Sequence, residues 1–168
     1  MDYLATRDDV DKSRIAILGG SSGSFVARGI ALDDRFAAAV CDGGIWDLHE
    51  REFFAKRIDS GDTDGLSAGL EFGRASRTIK CPVLITVGEH GWLEADHASE
   101  LFGQLKSDQR DVTLKMFRAA ETAASHDHID NPTLANEFIF DWIADRLRID
   151  NGPRKSLLRR WEAVLANC

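Results

Sequence analysis

The chain of 168 residues has the length of one ordinary domain, and 43% hydrophobic with 29% charged residues is a globular composition, not a disordered one. Its net charge of −7 argues against nucleic acid or an anionic membrane surface as the main partner. The three cysteines, Cys41, Cys81 and Cys168, are odd in number and lack CxxC spacing, which points to reduced thiols and a cytoplasmic setting.

The amino-terminal stretch MDYLATRDDVDK is polar, with the pattern of a helix tail over 2–8 and none of a signal peptide. No apolar run approaches the roughly 18 residues that span a bilayer. Ile15 to Leu18 is a short, wholly apolar run that reads as a buried parallel strand. After the cluster Gly19-Gly20-Ser21-Ser22-Gly23, Phe25, Val26, Ile30 and Leu32 recur at helical spacing. Phe36 to Cys41 (FAAAVC) reads as a second buried strand, closed by Gly43 and Gly44, and carries Cys41 as a packing residue. Residues 46–80 mix charges and glycines without a clean period, as a cap-like insertion does. Pro82 to Val87 (PVLITV) is a third strand, 95–105 a helix with Leu101, Phe102 and Leu105 on one face, and Val112 to Phe117 (VTLKMF) an alternating strand nearer the sheet edge. Residues 133–147 form an amphipathic helix whose core face is Leu134, Phe138, Ile139, Trp142, Ile143 and Leu147. Residues 151–168 read as a separate helical extension, with Asn151 and Pro153 at its start and Leu157, Leu158, Trp161, Val164 and Leu165 on one stripe.

Strands alternating with helices predict an α/β fold of three layers, with a mostly parallel sheet of about four strands and helices on both faces. Residues 1–150 form the core and 151–168 an appendage. Sites in such sheets lie at the carboxyl ends of the strands, where the Gly/Ser cluster falls.

The cluster fits neither a Walker loop, since no lysine follows, nor the G-x-G-x-x-G dinucleotide fingerprint. It does fit G-x-S-x-G between a strand and a helix. A turn this tight strains its central residue and holds the Ser21 hydroxyl clear of the sheet, while the Ser22 N–H is placed to donate to a developing oxyanion. Serine needs a base, and a hydrolase of this architecture takes it from the loop after the final strand. That selects His126 and His128 among the five histidines. The same stretch, His126-Asp127-His128-Ile129-Asp130, matches most of an H-x-H-x-D-H metal motif, but Asn131 stands where the closing histidine belongs, so no metal is expected. No other cofactor is expected either.

The stretch DYLATRDDVDKSRIAILGGSSGSFVARGIALDDRFAAAVCDGG resembles the elbow region of α/β hydrolases, in the branch of dihydropseudooxynicotine hydrolase and the FrsA-like esterases, and ETAASHDHIDNPTLANEFIFDWIADRL resembles that branch's final loop and helix. The resemblance covers nearly all of residues 2–147. It implies a Ser–His–acid hydrolase, with Ser21 as nucleophile and His126, rather than His128, as base and then acid. The family's acid follows the strand equivalent to PVLITV in a Gly-x-x-Asp arrangement; here Gly88-Glu89-His90-Gly91 puts glycine there. Glu94 and Asp96 are the favoured replacements, ahead of Glu89 and Asp47. The family also carries strands and an oxyanion-donating loop ahead of the elbow strand that this sequence does not contain, so the fold is expected to be a truncated version.

The expected activity is hydrolysis of an ester or related carbonyl bond, carbon–carbon bonds included, in a small-molecule substrate. Residues 46–80 would act as a cap, with Trp46 and Trp92 lining an apolar pocket beside Phe53 and Phe54. The second reading is a hydrolase remnant that binds or assembles without turnover. An uncovered edge at Ile15–Leu18 would invite aggregation, so a second subunit, in a homo-oligomer, or the C-terminal helix is expected to cover it.

Overall fold

The structure is a computed structural model, described here for residues 1–21, 23–44, 78–91 and 95–150. In chain order the elements are α1 (Asp2–Ala5), β1 (Ala16–Gly19), α2 (Gly23–Leu32), β2 (Ala38–Asp42), β3 (Val83–Gly88), α3 (Ala95–Ser107), β4 (Val112–Phe117) and α4 (Pro132–Arg146). Two short 3₁₀ turns, Ala119–Glu121 and His126–His128, join β4 to α4.

The strands form one parallel sheet in the order β1-β2-β3-β4. The register runs Gly19 beside Cys41, Cys41 beside Ile85, and Ile85 beside Leu114. Pro82 has no N–H to give the ladder, so β3 begins at Val83, yet the Pro82 carbonyl still accepts from Ala39 N at 2.9 Å. The two inner strands are buried on both faces, which is why FAAAVC and PVLITV read as unbroken apolar runs.

The alternation of side chains along each strand assigns the helices to faces. Ala39, Cys41, Val83, Ile85 and Val87 meet Val26 and Ile30 of α2 and Ala98, Leu101 and Leu105 of α3 on one side. Ala38, Val40 and Leu84 meet Ile139 and Trp142 of α4, with Leu147, on the other. The expected three layers are therefore present, with α2 and α3 beneath the sheet and α4 above it. Asn131 caps α4 by accepting from Leu134 N at 3.2 Å, and Pro132 fills its first turn. Of the core face expected for that helix, Ile139, Trp142 and Leu147 are buried and Leu134, Phe138 and Ile143 partly so. Ala135 and Ala144 complete the contact.

The thiol of Cys41 is part of the lower core, where burial pushes its pKa far up and makes it a packing group rather than a nucleophile. Leu18, on the terminal strand β1 among the described residues, is 45% exposed. Among the described residues no helix is long and apolar enough to cross a membrane. The cap expected over 46–80 and the helix over 151–168 lie outside the described residues, except Thr78–Lys80. There Ile79 is buried and its carbonyl accepts from Arg110 Nη1 at 3.0 Å.

Leu84 has no exposed surface and lies against α4, so Leu84→Ala should lower stability by about 2–5 kcal/mol, read as a shift in the midpoint of chemical denaturation.

Candidate active site

Strand β1 ends at Gly19 and α2 starts at Gly23, so the chain reverses within three residues. Ser21, at the centre, takes the left-handed conformation (φ 62°), a strained state for a residue with a side chain. This is the geometry of a nucleophile elbow. The space for it does not come from Gly20, where a Cβ would meet no described atom within 4 Å. It comes from Gly43, just past β2 (φ 80°), where a Cβ would stand 3.3 Å from Ser21 Cα. The close approach is between the ends of neighbouring strands.

The facing group arrives from the loop between β4 and α4. Four of its residues take left-handed backbone: Thr122 (φ 69°), Ala123 (57°), Asp127 (52°) and His128 (55°). Such conformations cost on the order of 1–3 kcal/mol each and persist only where the surroundings enforce them. Here the ties are explicit. Asp130 accepts from Ala124 N at 2.9 Å and from Ser125 N at 3.0 Å. Asn131 Nδ2 donates to Thr122 Oγ1 at 2.8 Å. His90 N donates to Ala124 O at 2.8 Å, and His90 pairs with Ser125 as a parallel bridge that carries the sheet past β3. The loop lies so close to β3 that a Cβ on Gly88 would fall 2.2 Å from Ala124 O and 2.5 Å from Ser125 O.

Held in this way, His126 Nε2 lies 3.0 Å from Ser21 Oγ, hydrogen-bonding distance between residues 105 apart in sequence. The imidazole is nearly buried, and Asp127 Oδ2 stands 3.4 Å from the same nitrogen.

His128 points the other way. It is 1% exposed and packs its ring on Phe117 at 4.6 Å between centroids. Its Nδ1 donates to Ala123 O at 2.6 Å, and its Nε2 lies 3.0 Å from Asp42 Oδ1, at the end of β2. The carboxylate sits off the N–H direction, so the contact is an ion pair more than an aligned hydrogen bond. Thr86 Oγ1 of β3 donates to the same carboxylate oxygen. Burial by itself would lower the His128 pKa, but Asp42, the Ala123 carbonyl and the nearby Asp127 outweigh it and raise it above 6.5. Burial would likewise raise Asp42, and its bonds to His128 and Thr86 outweigh that and hold it below 3.8.

A match to the family model of the prolyl oligopeptidase family covers residues 1–148. The chain belongs to that family. Its fold is the α/β-hydrolase fold that the sequence resemblance implied. Among solved structures, the puromycin-hydrolysing peptidase of Mycobacterium tuberculosis superposes with a TM-score of 0.68 at 23% identity, over 90% of this chain and 25% of that one. Acylaminoacyl peptidase of Pyrococcus horikoshii gives 0.66 at 14% identity, over 94% and 28%. The 2,6-dihydroxy-pseudo-oxynicotine hydrolase gives 0.63 at 19% identity, over 87% and 44%. This family member thus spans less than half the length of these three structures. No curated protein matches its sequence.

Of the residues singled out in sequence, the structure brings Ser21 and His126 together and sends His128 to a different partner. The left-handed Asp127 between the two histidines turns their rings apart, so they do not converge as metal ligands. Among the described residues no group of three or more His, Cys, Asp or Glu side chains is arranged to hold a metal. Glu89 is engaged elsewhere: its carboxylate accepts from Ala119 N at 2.7 Å and faces Arg118. Asp96 is exposed in the first turn of α3. Ser22, Trp46, Asp47, Trp92 and Glu94 lie outside the described residues. Asp42, Thr86, Asp127 and Asp130 were not assigned roles in this family member's site from sequence. A readable signal existed for Asp42, a carboxylate that ends a buried strand and so needs a partner.

Two outcomes are expected. Gly88→Ala forces a Cβ into backbone atoms, so stability should fall by about 1–3 kcal/mol and amide exchange over 122–130 should rise at least about tenfold. The second concerns pH. A raised His128 pKa stabilises the fold below about 6.5 and loses that effect as pH climbs through the shifted value; a lowered Asp42 pKa stabilises above about 3.8 and loses that effect as pH falls through its shifted value. The pair therefore contributes fully between those limits. The Tm advantage of the native chain over His128→Gln should be largest near pH 5–6 and shrink as the pH rises through the raised His128 value.

Proposed function

We propose that this chain is a serine hydrolase of esters or related carbonyl compounds, carbon–carbon bonds included, with Ser21 as nucleophile and His126 as base. The observation that carries the reading is the 3.0 Å contact of Ser21 Oγ with His126 Nε2 across a strained elbow. Family membership supports it, as do neighbours described as peptidases and esterases.

In the proposed reaction the Ser21 proton passes to His126 Nε2 as Oγ bonds to the carbonyl carbon, and the carbonyl π pair moves onto its oxygen. That oxyanion would take a hydrogen bond from the Ser22 N–H. When the intermediate collapses, the bond to the leaving group breaks and Nε2 returns the proton to it. Water then enters by the same steps in reverse and releases the acyl group from Ser21. The Asp42–His128 pair takes no part in proton transfer. It fixes the loop that carries His126.

A fluorophosphonate probe tests this. The native chain should be labelled, Ser21→Ala should not, and His126→Ala should be labelled at least about 100-fold more slowly. Absence of labelling at every pH from 6 to 9 would favour the remnant reading, which the glycine at position 91 supports.

A further inference from the structure

We propose that Asp127 is a catalytic carboxylate of this site: its Oδ2 faces the proton-carrying nitrogen of His126 and offsets the positive charge the imidazole gains on taking the Ser21 proton. The inference rests on the serine hydrolase reading and deepens it. The family's own acid position holds Gly91, and no property of that position is needed for what Asp127 does.

The geometry is particular. Oδ2 lies 3.4 Å from His126 Nε2, on the ring edge that also meets Ser21 Oγ. Oδ1 is buried and has no hydrogen-bond partner among the described residues. A buried carboxylate oxygen without a donor is costly, and a site that carries one retains it for a reason. Glycine at position 43 leaves room beside it: a Cβ there would come within 2.8 Å of Oδ1, so the carboxylate would have to shift. With left-handed backbone at Asp127 (φ 52°), the partly exposed side chain brings Oδ2 to His126 Nε2. Gly43 therefore makes room for both halves of the arrangement, the elbow above and the carboxylate below.

The charges around the pair fit the same purpose. Beside this segment His128 lies 3.0 Å from Asp42, and the Asp130 oxygens are taken up by the Ala124 and Ser125 amides. Asp127 adds a second carboxylate beside the Asp42–His128 pair and contributes to the raised His128 pKa. When Ser21 gives up its proton the imidazolium and Asp127 face each other as an ion pair. The stabilisation thus appears as the reaction proceeds, which is the condition for it to lower the barrier.

Asparagine and glycine both tolerate the left-handed backbone, and glycine does so without strain. Asp127→Asn and Asp127→Gly should therefore keep or raise Tm while lowering the second-order rate of fluorophosphonate labelling at pH 7 at least tenfold. The imidazole titration of His126, followed by NMR and assigned with His126→Gln, should shift to lower pH in both variants, since an anion beside the ring has been removed. A purely structural role for Asp127 would not move that titration. Labelling that falls by less than tenfold in a folded variant overturns the proposal, as does a His126 titration that stays put or moves up. If the native chain is not labelled at all, the serine hydrolase reading fails, while the NMR titration still decides whether Asp127 acts on His126.

Discussion

Everything in the site depends on one close approach of backbone to backbone. The carboxyl end of β3 at Gly88 touches the carbonyls of Ala124 and Ser125 with no side chain between them. That contact, with the His90–Ser125 bridge, extends the sheet into the last loop and fixes the height at which His126 stands. A parallel sheet brings the carboxyl ends of all its strands to one edge, so residues far apart in the chain can meet there. The sheet alone sets this distance only coarsely. The proposed proton transfer from serine to histidine needs the two groups within hydrogen-bond reach, and the Gly88 contact holds the histidine's loop against β3.

The loop stays strained because several polar ties hold it at once. Left-handed backbone at Thr122, Ala123, Asp127 and His128 would relax in an isolated peptide. Here Asp130 and Asn131 cross-link the loop from within, and His128 anchors it to two strands at once through Asp42, which Thr86 also holds. The two histidines share one short segment and differ in task because the backbone between them is left-handed. One ring faces Ser21 at the sheet's edge. The other is driven into the interior against Phe117, where its charge is tolerated only because a carboxylate meets it.

The layering of the fold was legible from sequence because it is written in periodicity. Ile15 to Leu18, PVLITV and VTLKMF announced the strands to within a residue or two, and the helical spacing of Phe138, Ile139, Trp142 and Leu147 put the last helix on the correct face. The elbow was legible because its strain restricts which residues can flank it. The partner of each histidine was not. No pattern along the chain says that residue 127 turns left-handed, and that one dihedral angle decides which ring meets Ser21 and which meets Asp42. The role of Gly43 was hidden for a related reason. In sequence it reads as a strand terminator, and its steric meaning exists only against Ser21 and Asp127, 22 and 84 residues away in the chain.

The distribution of carboxylates follows from the same geometry. A histidine at the edge of a parallel sheet is approached by loops from several strands, and an anion delivered by any of them can act on it through space. Coulombic stabilisation of an imidazolium depends on distance and dielectric, not on which loop supplies the charge. A glycine where the family places its aspartate therefore does not by itself remove the electrostatic support for the base. Geometry still distinguishes the sources. A carboxylate on the far ring nitrogen fixes the tautomer and the ring's orientation, whereas Asp127 meets the nitrogen that faces Ser21 Oγ. The backbone leading into His126 is held at Ala123 by His128 and at Ala124 and Ser125 by Asp130.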